Sequence, residues 1–182
     1  MERAIKMKVL LHICCGPCSI FPVASLRKTG HEVLGFFFNP NIHPFKEFSR
    51  RLDTLREYAG SIELPLTVDG RYLLEDFLSA VMKADRLRCE ICYEMRLHEA
   101  ARQARLMGCE AFSTTLLVSP YQKHELIRKA GEAAGAAHGI EFLYEDFRPG
   151  WQEGVKISRA REMYRQPYCG CIFSEKERYC KS

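Results

Sequence analysis

Seven of the nine cysteines in this 182-residue chain fall into three tight groups. The groups read Cys14-Cys15-x-x-Cys18, Cys89-x-x-Cys92 and Cys169-x-Cys171. Random scattering rarely produces such spacing, and thiolates are soft ligands that select zinc, copper(I) or iron–sulfur clusters. The spacing therefore predicts a metal or redox site that draws on all seven thiols, while Cys109 and Cys180 stand apart and are expected to take no part.

The number of thiols favours a redox centre over structural zinc. A structural zinc ion takes four ligands, commonly from two Cys-x-x-Cys units, whereas here one group begins with an adjacent pair. An iron–sulfur cluster takes up to four cysteines, and the surplus thiols then serve a second metal or cycle between dithiol and disulfide. A disulfide between Cys169 and Cys171 would close a tight, strained ring and be easily reduced.

The composition limits the classes of protein to which the chain can belong. With 47% hydrophobic and 27% charged residues, it is typical of a folded domain. We expect no signal peptide and no membrane association, since no run approaches the ~18 apolar residues of a spanning helix. A disulfide scaffold is a poor explanation without secretion, so we expect a cytoplasmic protein with reduced thiols.

The net charge of +4 is confined to one part of the chain. Residues 148–182 hold eight basic and four acidic side chains, whereas residues 1–147 hold nineteen of each. Such a basic segment suits a phosphate backbone, although a solvated helix face explains the charge equally well.

The elements that must position the thiols alternate between strands and helices. The predicted strands are 8–13, 32–38, 66–68, part of 111–118, and 141–143. The predicted helices run from a cap at Ser19 to about residue 29, around 48–59, over 71–83, over 92–107 and around 126–137. This alternation predicts an α/β fold with a mainly parallel sheet, whose ligand site lies beyond the carboxyl ends of the strands. We predict one domain, with the core in 1–146 and a helical, partly irregular appendage in 147–182 that carries the Cys-x-Cys motif.

Longer motifs around the cysteines resemble a known family. They are His12-Ile13-Cys14-Cys15-Gly16-Pro17-Cys18, Phe37-Phe38-Asn39-Pro40-Asn41-Ile42-His43-Pro44, Arg88-Cys89-Glu90-x-Cys92-Tyr93, Thr114-Thr115-Leu116-Leu117-x-Ser119-Pro120-Tyr121-Gln122-x-His124-Glu125, Asp146-Phe147-Arg148-x-Gly150 and Tyr164-Arg165-Gln166-x-Tyr168-Cys169-Gly170-Cys171. Together they run from about residue 7 to 174 and resemble the cobalamin-independent epoxyqueuosine reductases, the QueH family.

The resemblance implies a Rossmann-like fold of the PP-loop (HUP-like) type and an oxygen-sensitive [4Fe–4S] cluster. It implies cluster ligands among Cys14, Cys15, Cys89 and Cys92, and a redox pair at Cys169 and Cys171. An additional iron beside the cluster belongs to the same expectation, with Cys18 at a metal-facing position. The implied reaction reduces epoxyqueuosine, at the wobble position of tRNA, to queuosine by a two-electron deoxygenation, which is the last step of queuosine biosynthesis. It also requires an external electron donor.

Further residues are candidates for handling the proton and the RNA. Tyr121, His124, Tyr168 and His43 are candidate proton donors. Asn39, Asn41 and Gln122 are candidates for hydrogen bonds to the base, and Arg148, Arg159 and Arg165 for the tRNA backbone. Phe147, Tyr168 and Trp151 are candidates for stacking on a splayed-out base, as in other RNA readers, although a core role is slightly favoured for Phe147. We expect His12 to be packed inside the first strand.

Two other functions fit the sequence less well. The chain could be another iron–sulfur enzyme that modifies tRNA, for example by sulfur transfer. That chemistry usually accompanies an ATP-binding SGGxDS-type loop, whose place is taken here by residues 14–18. The other alternative is a zinc-stabilised RNA-binding domain without catalytic activity.

Overall fold

A computed structural model describes residues 6–180 and contains five strands and seven helices in that range. The strands are β1 (Lys8–His12), β2 (Glu32–Phe37), β3 (Leu66–Val68), β4 (Ala111–Thr114) and β5 (Glu141–Phe142). The helices are α1 (Gly16–Lys28), α2 (Phe45–Ser61), α3 (Leu74–Lys83), α4 (Arg88–Leu106), α5 (His124–His138), α6 (Trp151–Ala160) and α7 (Ile172–Tyr179). Two short 3₁₀ turns cover Thr115–Val118 and Arg148–Gly150.

The strands form one parallel sheet in the order β3-β2-β1-β4-β5. This arrangement confirms the predicted α/β, Rossmann-like fold. The order reverses at β1, since β2 and β3 extend to one side of it and β4 and β5 to the other. In open parallel sheets the crevice at such a reversal, beyond the carboxyl ends of the strands, is the usual ligand site.

Apolar burial explains why the central strands and their covering helices form. Val9, Leu10 and Leu11 of β1 are fully buried, as expected for a strand covered by helices on both faces. On α2, Phe48 and Leu55 lie on the buried face of an amphipathic helix, which confirms the helical spacing read from the sequence.

One predicted boundary near the cysteines is wrong, whereas the strand predicted within residues 111–118 is confirmed. Helix α1 begins at Gly16 with Cys15 at its N-cap, not after a cap at Ser19. Pro17 fits the first turn because it has no N–H to leave unpaired, and the Ser19 hydroxyl donates to the Gly16 carbonyl at 2.7 Å. Strand β4 ends at Thr114, where the side chain accepts a hydrogen bond from the Leu116 N–H and starts a 3₁₀ turn.

The strand–helix alternation ends after β5, as predicted. Helix α6 packs against α1, and an irregular stretch over residues 161–171 leads to α7. Within residues 6–180, no helix is long and apolar enough to cross a membrane.

Candidate metal and redox centre

The first thiol group lies at the reversal point of the sheet. Cys14 follows β1, and Cys15 and Cys18 flank the first turn of α1, which starts at the carboxyl edge of the sheet. All three side chains are buried, and their sulfur atoms lie within 4.8 Å of one another. Among the described residues, no other group of three or more ligand atoms from His, Cys, Asp or Glu side chains lies within 4.8 Å of one another.

The trio is arranged to hold negative charge on Cys14. Hydrogen bonds from the Cys15 and Cys18 thiols, ahead of the Thr115 hydroxyl, hold the pKa of Cys14 well below its usual range. The Thr115 hydroxyl lies 3.5 Å from the Cys14 sulfur, and the Cys14 N–H donates to the same hydroxyl oxygen at 3.2 Å. Burial raises the pKa of Cys15. Within the trio, the environment thus favours the ionised form at Cys14 and disfavours it at Cys15.

The remaining four clustered cysteines surround a second, smaller space. Cys89, Cys92, Cys169 and Cys171 line a cavity of about 40 Å³ beside the guanidinium groups of two arginines. Cys89 and Cys92 stand in the first turns of α4, where the helix dipole favours anions. Burial nevertheless raises the pKa of Cys92 to about 11, against the opposing effect of Arg96. The four thiols and two arginines thus share one partly enclosed site.

The Cys-x-Cys motif is held in place by a buried arginine from α2. Arg51 is 1% exposed, and its guanidinium donates to the carbonyls of Tyr168 and Cys169 at 2.9 and 3.0 Å. Its Nε donates to Glu47 at 2.7 Å, and the second oxygen of Glu47 accepts from the Tyr164 hydroxyl at 2.5 Å. We call Glu47, Arg51 and Tyr164 the α2 clamp, because they fix the backbone leading into the redox pair.

His43 completes this support from the loop before α2. Its backbone N–H donates to the Gly170 carbonyl at 2.8 Å, and its Nδ1 accepts from the Ile172 N–H at 3.4 Å. Its Nε2 then carries the proton and donates to the Pro40 carbonyl at 2.9 Å. Burial lowers the pKa of His43, in keeping with this neutral form. In this structure both ring nitrogens of His43 are engaged in support of the Cys-x-Cys loop, and a role as proton donor stays a prediction.

Gly170 separates the two cysteines because no other residue suits the position. Its φ is +137°, which side chains rarely adopt. A Cβ there would also lie 3.2 Å from atoms of Arg51, Asn41 and Ile42. The glycine thus permits the close approach between the motif and the α2 clamp.

The two sulfurs of the motif differ in protonation. A hydrogen bond from Cys171 lowers the pKa of Cys169 to about 5 and raises that of Cys171. Ser174 contacts both, since its hydroxyl lies 3.1 Å from the Cys169 sulfur and its N–H donates to the Cys171 sulfur at 3.4 Å. Cys169 is the exposed member of the pair and Cys171 the buried one. Cys169 is therefore both the more accessible sulfur of the pair and the one with the lower pKa.

A cavity of about 720 Å³ opens next to both thiol groups. Cys14, Cys18 and Cys169 contribute to its wall. The opposite wall carries Tyr121, Gln122 and Trp151, and the Tyr121 and Trp151 rings meet edge to face at 6.0 Å. Because Cys169 also lines the smaller cavity, it stands between that cavity and the open one.

Several predicted RNA-contacting and proton-donating residues lie on this open cavity. Tyr121, which is 84% exposed, lines it together with Gln122, Arg159 and Arg165. Trp151 and Tyr168 also line it, so two of the three candidates for stacking on a base reach the open space. The Tyr168 hydroxyl, however, donates to the His43 carbonyl and is already engaged.

Other predicted residues lie elsewhere. Asn39 and Asn41 are 1% and 2% exposed, and the Asn39 amide donates to the Ile13 carbonyl at 2.9 Å. Both side chains are buried in this structure, and their contact with the base stays a prediction. Phe147 is fully buried in the core.

The remaining two candidates stand beside the cavity, not in its lining. His124 is buried and its Nε2 lies 3.2 Å from the carbonyl of Ser119, a lining residue, so His124 supports the wall. Arg148 is engaged with Asp146 at 2.6 Å on the surface. His12 is packed as expected, since its Nε2 donates to the Phe38 carbonyl at 3.0 Å and its Nδ1 lies 2.9 Å from the Thr114 hydroxyl.

Sequence reasoning missed the polar residues that support the thiols. Arg51, Arg96 and Ser174 carry no motif of their own, and the α2 clamp connects residues more than 100 positions apart. One signal was present for Glu47 and Arg51, since their i,i+4 spacing predicts a helix-surface ion pair. Their burial under residues 164–171 was not predictable from that spacing.

Replacing Arg51 with methionine is expected to loosen the Cys-x-Cys motif. The change leaves Glu47 as a buried carboxylate without its cation, which typically costs about 3–5 kcal/mol of unfolding free energy. Hydrogen exchange of the Cys171 and Ile172 amides should become faster than in the unaltered protein. Arg128→Met is the matched control, since Arg128 makes the same kind of i,i+4 pair with Glu132 on the exposed surface. Equal exchange rates in Arg51→Met and the unaltered protein would show that the clamp does not order the motif.

Comparisons with known proteins agree with this geometry. The family profile described as Epoxyqueuosine reductase QueH matches residues 9–177. A protein named Epoxyqueuosine reductase QueH from Dehalococcoides mccartyi is 36% identical over 174 residues, covering 96% of each chain. One of the same name from Thermotoga maritima is 36% identical over 180 residues, covering 93% of this chain and 91% of the other.

A solved structure supports the fold. The U34-tRNA thiolase NcsA from Methanococcus maripaludis, determined with its [4Fe–4S] cluster, superposes with a TM-score of 0.63 at 12% identity. The match covers 94% of this chain and 62% of the thiolase, and at this identity it bears on the fold alone. With the profile matched from the first strand into the last helix, and with relatives matched over nearly their full length, the chain belongs to the epoxyqueuosine reductase QueH family of oxidoreductases.

Proposed function

We propose that this protein reduces epoxyqueuosine to queuosine in the wobble position of tRNA, with a [4Fe–4S] cluster bound by its clustered thiols. The observation that carries the proposal is the position of Cys169, which lines both the small thiol cavity and the large open cavity. A redox-active thiol in that position connects a metal site with a bound substrate. A cytoplasmic location belongs to the proposal, since all nine cysteines are free and a reducing compartment keeps them so.

The residues present fit a cluster. A [4Fe–4S] cluster takes up to four cysteine thiolates, and we expect them among Cys14, Cys15, Cys89 and Cys92. The low pKa of Cys14 favours one of the ionised donors that such a cluster needs, and binding of the cluster would displace the protons of the other ligands. Cys18 remains for an additional iron, since its sulfur lies with Cys14 and Cys15 and accepts from the Gln166 amide at 3.3 Å. When bound, the cluster supplies electrons one at a time.

The Cys-x-Cys pair matches the electron stoichiometry of the reaction. Removing the epoxide oxygen as water consumes two electrons and two protons. Oxidation of the Cys169 thiolate and the Cys171 thiol to a disulfide breaks one S–H bond, forms one S–S bond and releases two electrons and one proton, and the second proton for the water comes from solvent or from a nearby donor. The external donor then returns two electrons, and one proton from solvent restores the thiolate and the thiol. The pair can therefore store two electrons, whereas a cluster transfers only one electron at a time.

The side chains of the large cavity would bind the nucleotide and supply a proton to the departing oxygen. Tyr121, which is 84% exposed and lines this cavity, would donate a proton to the departing oxygen. Trp151 offers an aromatic surface for a splayed-out anticodon base, as sequence-specific RNA readers use. Arg159 and Arg165 bring positive charge to the same cavity, where the phosphates flanking the base would lie.

The decisive experiment is anaerobic turnover followed by nucleoside analysis. Purified protein reconstituted with iron and sulfide is incubated with tRNA containing epoxyqueuosine and dithionite, and the digested nucleosides are identified by mass spectrometry. We expect conversion to queuosine, with a mass lower by one oxygen atom. A thiolated product would indicate sulfur transfer. A colourless protein with one zinc ion and no sulfide would indicate an RNA-binding domain, and retention of the epoxide by cluster-containing protein would also contradict the proposal.

Replacing Trp151 with alanine is expected to weaken tRNA binding selectively. Stacking of one base on an aromatic side chain contributes about 1–3 kcal/mol, so the KM for tRNA should rise about 5- to 150-fold. Trp151→Phe keeps an aromatic surface and should retain most of the affinity. Steady-state kinetics with matched tRNA preparations measure both variants. If alanine and phenylalanine have equal KM values, Trp151 does not stack on the tRNA.

A further inference from the structure

Arg96 is a buried cation without a carboxylate partner. It lies on α4, is 3% exposed, and forms no ion pair with any acidic side chain between residues 6 and 180. Arginine does not lose its proton in proteins, so this charge persists. Burying a charge without compensation costs several kcal/mol. An anion must therefore balance Arg96 within the site.

Arg51, the other buried arginine at the site, differs from Arg96 because it has an acidic partner. Arg51 is 1% exposed and forms an ion pair with Glu47, so its charge is balanced by a side chain of the same helix. Arg96 has no such residue and instead donates to Cys92, at 3.0 Å from the sulfur and 3.2 Å from the carbonyl oxygen. Of these two acceptors, only the Cys92 sulfur can carry a full negative charge.

The groups packed around Arg96 leave only thiols to balance it. His12 is neutral, since burial and then Arg96 itself lower its pKa to about 4. Tyr93 places its ring 5.7 Å from the guanidinium carbon, and burial raises the pKa of its hydroxyl, so it is also neutral. The thiol groups whose charge would act on Arg96 are Cys92 and Cys14, and more weakly Cys169. These residues belong to all three thiol groups.

We propose that Arg96 is the permanent counter-charge of the thiol site and raises the reduction potential of the cluster bound there. A cluster with four thiolates is anionic and gains one more negative charge on reduction, so a fixed cation and an N–H···S hydrogen bond favour the reduced form. This inference rests on the proposed binding of a [4Fe–4S] cluster. Arg96 acts through Cys92 and is a positioning and charge-setting residue, not a catalytic one.

The test is an anaerobic redox titration of the reconstituted protein, followed by electron paramagnetic resonance. Arg96→Gln should lower the ratio of reduced to oxidised cluster at least tenfold at a fixed potential, which for one electron equals a shift of about 59 mV to more negative values. Arg96→Lys keeps the charge and should shift the ratio less than Arg96→Gln does. Arg102→Gln is the control, because Arg102 lies on the same helix but is exposed and pairs with Glu99. Equal potentials in Arg96→Gln and the unaltered protein would overturn the inference.

A second measurement uses the metal-free protein and separates charge compensation from a structural role. If Arg96 awaits an anionic occupant, Arg96→Gln should leave the urea midpoint of the metal-free protein unchanged or higher. A variant that fails to fold, or unfolds at clearly lower urea, would show that Arg96 is structural and would contradict the proposal. Failure of the unaltered protein to assemble a cluster would instead count against the proposed function, so the two failures are distinguishable.

Discussion

Cys92→Ser is expected to abolish assembly of the cluster and, with it, all reduction of the epoxide. Cys92 is the buried member of the α4 pair, and its sulfur already accepts a hydrogen bond from Arg96 at 3.0 Å. A serine hydroxyl does not ionise at neutral pH and is a hard ligand, so it does not replace a thiolate on iron. After anaerobic reconstitution, the variant should contain background levels of iron and acid-labile sulfide and lack absorbance near ~400 nm.

Cys109→Ser is the matched control for that experiment. Cys109 is also buried, at 7% exposure, but it follows α4 at the end opposite to Cys89 and Cys92. The substitution removes an apolar contact and should lower the free energy of unfolding by about 1 kcal/mol without changing iron content. A full cluster in Cys92→Ser, or loss of the cluster in Cys109→Ser, would contradict the assignment of the thiols.

Cys169→Ser is expected to separate cluster binding from turnover. The cluster should assemble normally, since its four ligands are untouched, whereas queuosine formation should fall to that of a protein-free reaction. The reason is that serine cannot form a disulfide with Cys171, so the two-electron store is lost. Iron analysis and nucleoside mass spectrometry on the same preparation measure the two properties independently.

Cys180→Ser provides the comparison for the redox pair. Cys180 is exposed, as Cys169 is, and stands beyond the last turn of α7. Its replacement should leave both iron content and turnover unchanged. Turnover by Cys169→Ser at the unaltered rate would show that the pair is dispensable and that both electrons arrive through the cluster.

Features encoded by neighbouring residues were predictable from the sequence. The parallel sheet follows from the alternation of apolar runs with helical spacing, and the α2 face from the positions of Phe48, Leu52 and Leu55. The three thiol groups were visible because their members are close in sequence. The start of α1 was misplaced because Ser19 satisfies the preference for a cap, while Cys15 occupies the N-cap without a side-chain hydrogen bond.

Features that depend on distant residues were not predictable. Asn39 and Asn41 have the composition of an exposed turn, yet both are buried, and a Cβ at Gly170 of the Cys-x-Cys motif would lie 3.2 Å from the Asn41 amide. His43 has the chemistry of a proton donor, but its two ring nitrogens are committed to the Pro40 carbonyl and the Ile172 N–H. The chemical type of a side chain does not reveal whether it forms hydrogen bonds with the backbone of a segment distant in sequence.

The α2 clamp also determines when the site becomes complete during synthesis. Arg51 cannot reach the Cys169 carbonyl until 118 further residues have left the ribosome's catalytic centre. At about 5–20 residues per second, that interval is about 6 to 24 s. Over most of it the nascent chain presents its early thiols, from Cys14 to Cys92, without the segment that covers them. Only the arrival of residues 164–171 then completes the site.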